Sequence, residues 1–124
     1  MTYIGRGYSP AFVENYDRIV ALLAAGEAIQ LVEGPDDICG PLLGTRDTHC
    51  HNESVVERDR LARLKISKSL GLADLSDLEL TKSTLSTLRT AFRSGAVRAA
   101  CAGCEWSGLC DSVAERSFAG ARLV

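Results

Sequence analysis

Five cysteines in two groups constrain this chain more than any other feature. Cys39 and Cys50 lie in one stretch, and Cys101, Cys104 and Cys110 lie far along the chain in another. An odd number cannot pair completely in internal disulfides. A single cysteine usually packs as a small hydrophobe, but CAGCEWSGLC puts three within ten glycine-rich, weakly apolar residues. Packing explains that density poorly. Thiolates are soft ligands suited to iron–sulfur clusters and to zinc, each of which commonly takes four. A fold that uses both groups at one centre must bring two distant stretches together.

The spacing Cys101-x2-Cys104 lets two thiolates face one metal or cluster, and Gly103 removes a side chain from the tight turn between them. Cys110 returns six residues after Cys104. His49 and His51 flank Cys50 and are alternative ligands at a zinc or mixed site. Two other chemistries compete. Cys101 and Cys104 suit a redox dithiol, although the strand–helix context of thioredoxin-like motifs is missing. Cys50 suits a nucleophile activated by a neighbouring His, although no oriented base is evident. No GxGxxG or Walker pattern is present. Asp36 and Asp37 read as turn formers, with bracing of a metal loop as the sharper alternative. Trp106, the single tryptophan, reads as a core anchor that would also shield a centre from water.

The cysteines need this explanation because the chain looks intracellular. No apolar run approaches the roughly 20 residues that span a bilayer, and residues 1–10 lack the pattern of a signal peptide. The expectation is a cytoplasmic protein, where thiols stay reduced. A net charge of -2 offers no basic excess for phosphates, so nucleic acid is not an expected partner. The basic run from Arg58 to Lys68 is interleaved with Glu57 and Asp59 and reads as a solvated helix face.

The pattern predicts a mainly helical α+β domain filling residues 1–124, with three to four helices, one or two short strands and a long cysteine-containing loop. Ser9-Pro10 caps a first helix bearing Phe12, Tyr16, Ile19 and Val20, closed by Gly26. Residues 28–32 (AIQLV) read as a strand. Residues 34–52 are broken by Gly, Pro and Asp and read as loop, a length that a metal would organise. Asn52 caps a second helix to Leu70, and Gly71 closes it. Residues 72–80 are either extended or a short turn of helix. Thr81 or Ser83 opens a helix carrying Leu85, Leu88 and Phe92, and Gly95 ends it. Gly5-Arg6-Gly7 reads as a flexible entry to the first helix.

GRGYSPAFVEN at residues 5–15, GPDDIC at 34–39 and the Cys101-x2-Cys104-x-Trp106 motif together resemble the bacterial and archaeal domain-of-unknown-function family 1284. The resemblance runs along nearly the whole chain. It implies binding of an iron–sulfur cluster and no assigned activity. Many relatives carry a second cysteine where Leu42 stands. They also carry a His-rich segment ending in Cys ahead of the GRGYSP-like stretch, where this sequence opens on Met1-Thr2-Tyr3. The resemblance therefore implies either a gene start upstream of Met1 or loss of that segment in this protein. Cys39, Cys50, Cys101, Cys104 and Cys110 match the family pattern. The expected function is a metal-binding protein holding one [4Fe–4S] cluster through Cys39, Cys50, Cys104 and Cys110, with Cys101 as the spare. It would serve electron transfer or sensing with a redox or protein partner. A structural zinc interaction module and a cysteine-dependent enzyme are the alternatives.

Overall fold

Proline at a first helical position lacks only an N–H that would have no partner there. The computed structural model, which describes residues 1–45, 52–76 and 78–124, starts its first helix in this way. Helix α1 spans Pro10–Ala24, and the Ser9 hydroxyl accepts from the Phe12 N–H at 3.2 Å. Helix α2 spans Glu53–Leu70 and ends on Gly71 at φ 68°. Helix α3 spans Lys82–Arg93 and is capped by Thr81, whose hydroxyl accepts from the Thr84 N–H at 3.0 Å. Helix α4 spans Ser107–Glu115. Two 3-10 segments complete the set, Asp37–Leu42 and Ala99–Cys101.

The described residues contain no strand, so the expected α+β class is corrected to all-helical. Residues 28–32 form no regular element, and Leu31 and Val32 lie exposed. The apolar run has no second run to ladder with and no sheet face to bury against, and a lone strand is not stable. The expected loop is corrected in part, because Asp37–Leu42 winds into a 3-10 helix. The described part of residues 72–80 forms no regular element.

The core gathers at the junction of α3 and α4. Phe92, Val97, Val113, Ala114, Phe118 and Ala121 form its buried centre, with Val113 fully enclosed. Met1, Ile4 and Ile66 pack against it, as do Cys101 and Cys110. The C-terminal tail returns beside the start of the chain, where the Arg122 N–H donates to the Tyr3 carbonyl at 2.8 Å. Helix α1 packs on the Asp37–Leu42 segment, and α2 packs on Ala99–Cys101. The cysteine-bearing stretches are therefore each held by a long helix.

Candidate metal centre

Asp36 shapes the segment that carries Cys39. Its carboxylate accepts from the Ile38 N–H at 2.9 Å and the Cys39 N–H at 3.3 Å. The turn-forming role expected of it holds, and it also fixes the backbone of a cysteine. The Asn15 side-chain amide on α1 donates to the carbonyls of Asp37 at 2.8 Å and Ile38 at 3.4 Å. Asn15 therefore ties the Cys39 segment to the first helix, a role its exposed position in the helical pattern did not suggest.

An aromatic strip runs along the same helix. Tyr3 stacks on Tyr16 with ring centroids 3.8 Å apart. Phe12 meets Tyr16 and Tyr8 edge to face, and Tyr8 meets Trp106 edge to face at 5.3 Å. Trp106 is only half-buried, so its expected role as a core anchor is corrected. Its ring instead joins the cysteine-rich segment to the entry of α1. The spacing of Tyr8, Phe12 and Tyr16 at every fourth residue was the available signal for this strip.

The cysteines distribute along the strip. The phenol of Tyr16 is pushed up by burial first, and then by the negative charges of Asp36, Cys110 and Cys39 around it. The charges of a cysteine from each group thus reach the Tyr16 phenol. The phenol of Tyr8 is likewise raised, chiefly by burial, with Glu105 and Cys104 nearby. Cys110, on α4, lies 3.3 Å from the Thr2 hydroxyl. Cys101 packs partly against the core, as Cys110 does, and hydrogen bonding to it, after the stronger bond to Asp111, helps hold the Arg98 guanidinium charged. Arg98 also stacks over the Phe92 ring at 4.7 Å.

Residues of α2 that were expected to be merely solvated hold both cysteine stretches. Arg58 Nη2 donates to the Ala102 carbonyl at 3.2 Å, and Asp59 accepts from the Gly34 N–H at 3.1 Å. The Glu57–Arg60 pair behaves as the exposed charge pattern suggested.

Cys39, Cys101, Cys104 and Cys110 are part-buried thiols. Their softness suits iron or zinc. Among the described residues, no group of three or more His, Cys, Asp or Glu side chains stands close enough to hold a metal ion. Cys50, His49 and His51 lie outside the described residues. Also among those residues, no helix is long and apolar enough to cross a membrane.

No curated protein and no solved structure matches the chain. Residues 7–110 match the family model described as "Protein of unknown function (DUF1284)". That match takes in Tyr8, Phe12, Tyr16, Trp106 and every cysteine, and the chain belongs to this family.

Proposed function

We propose that this protein binds an iron–sulfur cluster of the [4Fe–4S] type through Cys39, Cys50, Cys104 and Cys110. The observation that carries the reading is that α1 and its entry touch both cysteine stretches, through Asn15 on the Asp37 and Ile38 carbonyls and through Tyr8 on the Trp106 ring. Tyr8 beside Cys104 extends the same strip. Cys101, which is engaged by Arg98, is the spare thiol. The centre would supply one-electron chemistry or a redox-sensitive signal, tuned by burial and by hydrogen bonds around the sulfurs. The Asp36 carboxylate holds the Cys39 backbone in place.

Iron and acid-labile sulfide in protein purified without oxygen test the proposal. The expected result is brown protein containing both. Serine at Cys39, Cys50, Cys104 or Cys110 lowers that content severalfold, whereas serine at Cys101 leaves it near the wild-type level. Colourless protein with stoichiometric zinc would replace the cluster with a structural zinc site. Protein that holds neither metal would end both readings.

A further inference from the structure

The turn between Cys101 and Cys104 has a defined geometry. Ala102 sits at φ -57° and ψ 125°, and Gly103 at φ 69°. The Cys104 N–H donates to the Cys101 carbonyl at 3.0 Å. These values describe a type II β-turn, whose third residue must take positive φ. Such a turn holds its first and fourth Cα atoms within about 7 Å. A disulfide spans Cα separations of roughly 4.4–6.8 Å. The backbone therefore holds the two Cα atoms in the range that a disulfide spans.

The surroundings favour exchange chemistry. Arg58 donates to the carbonyl of Ala102, inside the turn. Arg98, two residues before Ala100 in the preceding segment, presents its guanidinium to Cys101 while paired with Asp111. Ala102 and Gly103 are exposed, so a small reactant reaches the turn.

We propose that Cys101 and Cys104 form a reversible dithiol that is oxidised by exchange with a low-molecular-weight disulfide, RSSR. One protein thiolate attacks RSSR, forms a mixed disulfide and releases RS⁻. The second thiolate then attacks the protein sulfur of that mixed disulfide, closes the Cys101–Cys104 bond and releases the second RS⁻. The two protons of the protein thiols end on the two RS⁻ groups, and two electrons pass from the protein to RSSR. This inference does not rest on the metal centre. The two do meet at Cys104, because closing the bond withdraws that thiolate from any centre.

The test uses the full chain, stripped of metal with a chelator and equilibrated in glutathione buffers from fully reduced to fully oxidised. After acid quenching and alkylation, mass spectrometry reads the tryptic peptide of residues 99–116, which contains Cys101, Cys104 and Cys110. The expected oxidised form has lost two hydrogens, and fragmentation places the bond between Cys101 and Cys104. Cys110→Ser keeps this bond. Cys101→Ser instead accumulates a glutathione adduct on Cys104. The proposal is overturned if the wild-type bond maps to Cys110, or if all three thiols remain alkylatable throughout the buffer series. Because fragmentation assigns the bond in the wild-type chain, the result stands even if a variant fails to fold. Metal content, measured separately, leaves this outcome unchanged.

Discussion

A Cβ at Gly7 would stand 2.3 Å from Cδ1 of the Phe12 ring, well inside contact distance. Phe12 cannot yield, because it is buried and held between Tyr8 and Tyr16. The GRG segment is thus a packing requirement, which corrects its reading as a flexible entry. Gly7→Ala is expected to cost about 1–3 kcal/mol, as overpacking of a filled site does. Urea unfolding measures the cost, and near-ultraviolet circular dichroism should report a displaced aromatic strip. Gly103→Ala is a different case. Its Cβ would meet only the Arg58 side chain at 3.7 Å, so space is available. The cost there is backbone strain at positive φ, about 1–2 kcal/mol by the same measurement. Gly103 was legible in the sequence because a two-residue cysteine turn asks for glycine. Gly7 was not, because its constraint comes from a ring brought against it by the helix that follows.

Caps separate elements that look alike in sequence. Thr81 and Asn52 both stand before a helical pattern with side chains suited to capping. Thr81 accepts from the Thr84 N–H and also pairs with the Thr84 hydroxyl at 2.9 Å. Asn52 makes no side-chain cap bond. Thr81→Ala is therefore expected to lower stability by about 1 kcal/mol. Asn52→Ala should stay within about 0.5 kcal/mol, the range of a surface substitution. Thermal unfolding of the two variants side by side distinguishes them, and equal losses would contradict the difference in capping. The helices themselves were legible because Phe12, Tyr16 and Val20, like Leu85, Leu88 and Phe92, repeat at helical spacing. The false strand at 28–32 arose because a short apolar run carries no information about whether a partner exists. The placement of Cys39 beside α1 was equally hidden, since Asn15 and Asp37 are polar surface residues until the chain is folded.

All three tyrosines of the molecule belong to one strip, and the environment shifts each in the same direction. The Tyr3 phenol, which donates to the Val13 carbonyl at 3.1 Å, is pushed up from 10.0 to about 12. Burial is the main cause and the Asp17 carboxylate beside it adds to the shift. The phenols of Tyr8 and Tyr16 are raised mainly by burial. In the unfolded chain each loses its proton near the ordinary value, while the folded chain holds it longer. Between pH 10.0 and about 12 the unfolded state therefore binds fewer protons than the folded state. Stability must fall as pH rises through that window, and the tyrosine contribution is fully present below it. The expected curve of melting temperature against pH bends downward there, beyond what lysine deprotonation produces. Tyr3→Phe and Tyr16→Phe keep a ring in the stack but remove the titrating proton, so each should make the decline shallower. The difference between each variant and wild type reports the phenol together with the charges coupled to it. If Tyr16→Phe declines as steeply as wild type, the Tyr16 phenol is not buried in the folded chain, and the aromatic strip at α1 is not packed there.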